Sequence, residues 1–178
     1  MPCGHEFLDF LPQKEASGYG LVTPNYGLGT MKFTYAYPRP MVTVDIAIVT
    51  RETKPRVLLI RRKHAPYTGM WALPGGYLNM DESLEEAARR ELREETGVRA
   101  ARLEQVHTFG DPGRDPRGRT ITVLYLARID PAQVKPQAAD DAAEVGWHRL
   151  DRPPRLAFDH RQILSMVRKV VSRKVKGR

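Results

Sequence analysis

Cysteine is almost missing: Cys3 is the only one in 178 residues. No intramolecular disulfide can form, and a reducing compartment is the expected home. No apolar run approaches the ~20 residues needed to span a bilayer, so no membrane association is expected. The first twenty residues, "MPCGHEFLDFLPQKEASGYG", carry Glu6 and Asp9 and no sustained apolar core, which excludes a secretory leader and leaves a cytoplasmic location as the expectation. Cys3 and His5 have no second pair of ligands nearby, so they make no zinc motif. Repeats and low-complexity tracts are also absent, which excludes solenoids and arrays. Nor are the basic residues behind the net charge of +8 collected in one block. The densest run, the tail "RKVVSRKVKGR", reads as a solvated helix end, and a nucleic-acid partner is not expected. An anionic small molecule would use the same surplus of charge.

What is present is an ordinary soluble composition, 41% apolar and 28% charged, with length for one domain and a short appendage. Residues 1–38 form an N-terminal extension rich in Gly, Pro and Tyr without helical or strand periodicity, and Met31 within it is a possible alternative start. The domain proper spans 39–178. In "MVTVDIAIVT", Val42, Val44, Ile46 and Ile48 alternate with less apolar neighbours, the pattern of a half-buried strand. "RVLLIRR" is a more continuously apolar strand and hence interior. "KHAPYTGMWALPGG" is rich in turn residues. A helix follows, opened by a capping box of Ser83 and Glu86 and closed by Gly97, with Leu84, Ala87, Ala88 and Leu92 toward the core. "ITVLYLARI" and "EVGWHRL" are further strands. The chain closes with an amphipathic helix over about Asp159 to Val175, which places Ile163, Val167, Val170 and Val171 on one side. The result is a mixed α/β domain with helices packed on a sheet.

The first helix poses a chemical question. Within a basic protein, Gly75 to Val98 gathers Asp81, Glu82, Glu85, Glu86, Glu91, Glu94 and Glu95. Glu86 caps the helix and Glu85 can pair with Arg89 at i+4, so these two belong to a solvated face. Glu91, Glu94 and Glu95 are different: at i, i+3 and i+4 they share one face, and like charges there repel unless something positive sits between them. Oxygen ligands of this kind suit Mg²⁺ or Mn²⁺ better than zinc, and magnesium is normally completed by waters and substrate phosphates. A carboxylate triad beside a Gly-Gly turn is therefore a site for metal plus phosphate.

The spacing resembles a known signature. From Gly76, five residues lead to Glu82 and seven more to "RELREETGV", Arg90 through Val98, which matches every specified position of the Nudix box, Gly-x5-Glu-x7-Arg-Glu-U-x-Glu-Glu-x-Gly-U with U apolar. The likeness extends over roughly Pro38 to Val170. The resemblance implies an α/β/α sandwich with a mixed sheet and the box helix packed on it. It implies that Glu91, Glu94, Glu95 and the Gly76 carbonyl hold the divalent ions, that Arg90 braces a box glutamate, and that Glu82 orients the loop and its waters. It further implies hydrolysis of a nucleoside diphosphate linked to another group. The general base varies within the family, so a box glutamate stands beside Asp111, Asp115, Asp140, Asp141 and Glu144 as candidates.

Substrate choice must lie elsewhere. The loop in "TFGDPGRDPRGRTITVLYLA" breaks regular structure at Pro112, Gly113, Pro116 and Gly118 and supplies Asp111, Arg114, Asp115, Arg117 and Arg119. It is either a self-paired surface hairpin or an arginine cluster for phosphate or a terminal ribose. With "YPRPMVTVDIAIV" and "LLIRRKHAPYTGMWALPGG", this loop resembles the ADP-ribose pyrophosphatase branch, whose members form AMP and ribose 5-phosphate. In that branch Arg61 and Arg62 would lie near substrate, as would Arg114, Arg117, Asp111, Asp115, Asp141 and Glu144. Tyr67 is a candidate for stacking on a base, while Trp71 is expected in the core. A nucleoside triphosphate pyrophosphohydrolase is the alternative. A non-catalytic ADP-ribose-sensing regulator is disfavoured, because few residues follow "EVGWHRL" and the box glutamates are intact. A homodimer, built partly on residues 1–38, is a further expectation.

Overall fold

The computed structural model describes residues 35–100, 102–138 and 142–176. The expectations for Cys3, His5 and Met31, for an interface arm before Tyr35, and for Asp140 and Asp141 fall outside these residues. Strands β1 (Met41–Thr50), β2 (Arg56–Arg62), β3 (Trp71–Ala72) and β4 (Gly75–Tyr77) precede helix α1 (Leu84–Thr96). Then come β5 (Glu104–Phe109), β6 (Thr120–Ile129), a 3₁₀ turn at Pro131–Gln133, β7 (Ala142–Arg149) and helix α2 (His160–Lys176).

The sheet is mixed. Its main path runs β3-β2-β1-β6-β5, with β4 added to β1 and β7 to β2. β1 and β6 are parallel over their full length, from Met41 opposite Thr120 to Thr50 opposite Ile129. A helix covers each face. Toward α1, Val44, Ile46, Ile48, Leu58, Val123 and Tyr125 pack on Ala87, Ala88 and Leu92. Toward α2, Ala47, Val49, Leu59, Leu124 and Leu126 pack on Ile163, Leu164, Val167 and Val171. The chain is thus an α/β/α sandwich. Leu84 and Val170, expected on the helices' inner faces, are only partly buried and lie at the margins of these clusters.

One expectation is corrected. β1 is not half-buried, since every residue from Thr43 to Thr50 is buried. Ala47 and Val49, alternating with Val44, Ile46 and Ile48, face α2, and Asp45 is carried inside with them. Three strands escaped the sequence reading. β3 and β4 are two and three residues long inside the turn-rich segment, too short to show a period. β5, "EQVHTF", lies at the sheet edge and is largely solvent-facing.

The sheet opens a fork where the site lies. β1 and β2 pair only at Val49 and Val57. Beyond that point the chain between them is β4, whose Gly75, Gly76 and Tyr77 pair with Asp45, Val44 and Thr43. The amide of Ile46 donates to the Pro74 carbonyl at 2.8 Å, closing the base of the fork.

Candidate active site

α1 delivers the carboxylates because its ends are well defined. The Ser83 side chain accepts from the Glu86 amide, Glu86 returns the bond to the Ser83 amide at 2.8 Å, and Gly97 closes the helix in a left-handed conformation at φ 68°. Between these caps Arg90 is the organising cation. Its Nε and Nη2 donate to the two Glu82 oxygens at 2.9 and 2.6 Å. Its Nη1 donates to Glu91 at 2.7 Å and Glu94 at 3.1 Å, and Nη2 also reaches the Tyr77 carbonyl at 3.0 Å. Glu82 in turn accepts from the Asn79 amide at 2.8 Å, and Glu95 from the Gly75 amide at 2.8 Å. One arginine and two amides therefore lock four glutamates to the Gly75–Tyr77 strand.

The environments of these carboxyls differ. Arg90's hydrogen bonds hold Glu82 below the usual carboxylate range, and those bonds raise Arg90 in return. Burial pushes Glu91 up, against the pull of Arg90. Glu91 lies so close to the turn that a Cβ at Gly76 would fall 2.3 Å from its Oε1. Glu94 is the accessible member, with a side chain 49% exposed against 13% for Glu91.

Do these residues suit a metal? Among the described residues no three His, Cys, Asp or Glu side chains converge closely enough to hold an ion as they stand. Arg90 draws on Glu82, Glu91 and Glu94, while Glu95 is turned to the Gly75 amide. The donor set nonetheless fits a hard divalent cation, since it consists only of carboxylate and carbonyl oxygens and gathers three carboxylates around one guanidinium with a fourth, Glu95, on the adjoining Gly75 amide.

Next to the Gly75–Gly76 turn, the fork is lined by Asp45, Arg62, Tyr77, Arg114, Asp115, Arg117, Phe158 and His160. The sequence-predicted loop residues part company here. Arg114 turns inward, its side chain only 6% exposed, and pairs with Asp159 through Nε at 2.8 Å and Nη2 at 2.7 Å. Asp115 is buried and clamps Arg117 through both oxygens, Nη2 to Oδ2 at 2.7 Å. Burial disfavours its charge, but the Arg117 bonds prevail and hold it below the usual range. Asp111 is exposed and faces a separate hollow between β5 and α2. Arg119 is likewise exposed. Arg61 and Glu144 pair with each other at 3.6 Å across β2 and β7, both about half exposed. Arg62 lines the fork itself. Tyr67 sits edge-on to Phe158 at 4.9 Å, and Trp71 is half-buried against His148 and the α2-side core.

Sequence reasoning missed a buried polar network beneath this pocket. Asp45 accepts from Thr122 Oγ1 at 2.7 Å, and His160 Nε2 lies 3.5 Å from its other oxygen. His160 Nδ1 accepts from the Leu73 amide at 2.9 Å, so the neutral ring carries its proton on Nε2, toward Asp45. Burial lowers the His160 pKa, outweighing the opposing pull of Asp45 and Asp159. A carboxylate in the apolar run "VTVDIAIVT" was the available signal: a charge inside a buried strand needs partners.

Comparison with known proteins agrees with this architecture. The model of the NUDIX domain matches residues 39–167. An ADP-ribose pyrophosphatase of Methanocaldococcus jannaschii is 39% identical over 128 residues, 72% of this chain and 73% of that protein. The ADPR responsive transcriptional repressor NtrR of Acinetobacter baylyi is also 39% identical, over 72% of this chain but only 53% of its own length. Among solved structures, the NUDIX domain of Shewanella oneidensis NrtR complexed with ADP ribose superposes with a TM-score of 0.69 at 35% identity, covering 76% of this chain and 91% of that one. With the carboxylate helix, the glycine turn and the sandwich all in place, and a family model spanning most of its length, this chain belongs to the Nudix family.

Proposed function

We propose that this protein hydrolyses ADP-ribose to AMP and ribose 5-phosphate with a bound Mg²⁺, or Mn²⁺ in its place. The observation that carries the reading is the junction of two chemistries at one turn: the glutamates of α1 on one side of Gly75–Gly76, and arginines of the fork on the other. Likeness to a relative named as an ADP-ribose pyrophosphatase, and to a domain solved with ADP ribose, supports the choice of substrate. Glu91, Glu94, Glu95 and the Gly76 carbonyl would hold the ion, which when bound neutralises phosphate charge and makes water a better nucleophile.

The chain's own residues do the rest. Arg90 and Glu82 keep Glu91 and Glu94 at the turn instead of letting them splay by mutual repulsion. Glu94, whose side chain is the accessible one, would be the carboxylate that takes a proton from attacking water. Arg62 and Arg117 supply guanidinium donors to the diphosphate.

Product analysis with ADP-ribose, nucleoside triphosphates and dinucleotides as substrates, in Mg²⁺, tests the reading. AMP and ribose 5-phosphate should appear fastest from ADP-ribose, and Glu94→Gln should lower kcat at least about 100-fold with an unchanged Tm. Preferred release of pyrophosphate from a triphosphate would overturn the substrate. Tight ADP-ribose binding without turnover would instead favour a ligand sensor, the role named for the similar Acinetobacter repressor.

A further inference from the structure

Phe158 has a backbone conformation that L side chains rarely adopt, with φ at 50°. Such a conformation persists only where the surroundings over-determine it, and often marks a functional position. Here the surroundings do. The next residue, Asp159, grips Arg114, and His160 after it grips the Leu73 amide. The chain thus enters α2 with its position set from two sides, and the Phe158 ring is turned into the fork.

The ring meets two cations there. The Arg62 guanidinium carbon lies 4.9 Å from the ring centroid and that of Arg117 lies 5.0 Å from it. They come from the end of β2 and from the β5–β6 loop, so only the tertiary fold brings them together. Their proximity is unfavourable by itself: burial disfavours the charged form of Arg62, and the charge of Arg117 disfavours it further. Aromatic faces attract guanidinium groups, so one ring can hold two such groups that would otherwise separate.

Each arginine is tethered so as to leave part of its fork unused. Arg62 Nε donates to the Pro66 carbonyl at 2.9 Å, and its Nη2 reaches the His64 carbonyl at 3.5 Å. Arg117 spends Nε and Nη2 on Asp115. Among the described residues the Nη1 of each is not engaged in a hydrogen bond. Each guanidinium thus has an Nη1 left to offer a phosphate oxygen beside the glycine turn, and the carboxylates that act on the pair are Asp115, Asp45 and Glu95.

We propose that Phe158 is a positioning residue that gathers Arg62 and Arg117 into a paired clamp for the two adjacent phosphates of the substrate. The clamp rests on the diphosphate reading above but makes a separate claim about binding. The ring is the hub. Asp115 and the Tyr77 ring, whose centroid lies 5.0 Å from the Arg117 guanidinium carbon, also hold Arg117, and the Pro66 and His64 carbonyls hold Arg62, but Phe158 is the ring that meets both guanidiniums. Tyr67, edge-on to the same ring, limits its rotation.

The test uses inorganic pyrophosphate as the probe, titrated calorimetrically into the full chain in metal-free buffer at low and high salt, beside steady-state kinetics on ADP-ribose in Mg²⁺. Wild type should bind pyrophosphate more tightly than inorganic phosphate, and less tightly as salt rises. Phe158→Leu should weaken pyrophosphate binding about tenfold or more and raise KM by a similar factor with kcat within about threefold, while Phe158→Tyr restores both. Arg62→Gln and Arg117→Gln leave the ring intact and test the clamp even if leucine at position 158 prevents folding; their combined loss should be smaller than the sum of the single losses. Additive losses, a leucine variant that melts earlier but binds as wild type does, or no pyrophosphate binding by wild type would each overturn the clamp. A protein that fails to hydrolyse ADP-ribose yet shows the full pyrophosphate pattern would overturn the proposed activity and leave the clamp standing.

Discussion

A methyl group added to Gly75 would sit 2.1 Å from the Val44 carbonyl, whereas one added to Gly76 would sit 2.3 Å from Glu91 Oε1. The obstacles differ in kind. Backbone of a central strand cannot retreat, so Gly75→Ala should cost about 1–3 kcal/mol or more and lower Tm by several degrees, as calorimetry would show. A carboxylate can swing aside, so Gly76→Ala should leave Tm nearly unchanged and lower kcat about tenfold or more by displacing Glu91. Equal Tm losses in both variants would refute that division. His160 gives a pH signature. Its pKa in the fold lies below the ordinary 6.5, so the unfolded chain takes up the proton first as pH falls. Stability contributed by the neutral ring is therefore fully present above about pH 6.5 and declines as pH drops from there toward the lower folded value. Asp45, Asp159, Arg114 and Arg62 surround the ring and would all feel its charge. Thermal melts between pH 7 and 5 should fall for wild type and fall less steeply for His160→Gln. His148, lowered by burial in the same direction, remains in both proteins and cancels in the comparison.

At the scale of elements, α1 shows why sequence reading succeeds where signals are local. Ser83, Glu86 and Gly97 are short-range devices whose partners lie within one turn, and both the capping box and the left-handed cap are present. Ser83→Ala should cost about 1 kcal/mol, visible as a small fall in the denaturation midpoint at unchanged m. Losing the cap loosens the turn that presents Glu82, so activity should fall more than stability alone accounts for. Strands were legible in proportion to their length and burial. β1, β2 and β6 carry long apolar runs and were found nearly to the residue. β5 has a sheet-edge pattern in which Gln105, His107 and Thr108 are exposed and a bulge between Gln105 and His107 breaks the alternation. No local period marks β3 or β4, because they are two and three residues long and exist only through pairing, β3 with the preceding β2 and β4 with the more distant β1.

At the scale of the whole molecule, the sheet is the wall between two hydrophobic cores, and each core is closed by one helix. Neither can be dispensed with. Ile163→Ala or Leu164→Ala, both fully buried against β1, β2 and β6, should each cost about 2–5 kcal/mol in chemical denaturation. Removing α2 from His160 onward would expose Val49, Leu59 and Leu124 and take away the His160 clasp on Leu73, so that chain should show no cooperative unfolding transition. A truncated chain with a sharp melt would refute the view that both faces must be covered.

The sequence by itself determined the chemistry of the box: the acidic helix, its caps, the glycine turn before it and the spacing that identifies the family are all contained in twenty-three consecutive residues. Their meaning survives without a fold, because i, i+3 and i+4 neighbours share a face wherever the helix is placed. Only the tertiary structure decided which arginines face the turn. Arg114 and Arg117, three residues apart in one loop, go to opposite fates, one buried on Asp159 and the other stacked on Phe158. Only it, too, brought Asp45, Thr122 and His160 into one network across β1, β6 and α2. Charges find partners by distance in space, and a one-dimensional pattern records distance only along the chain.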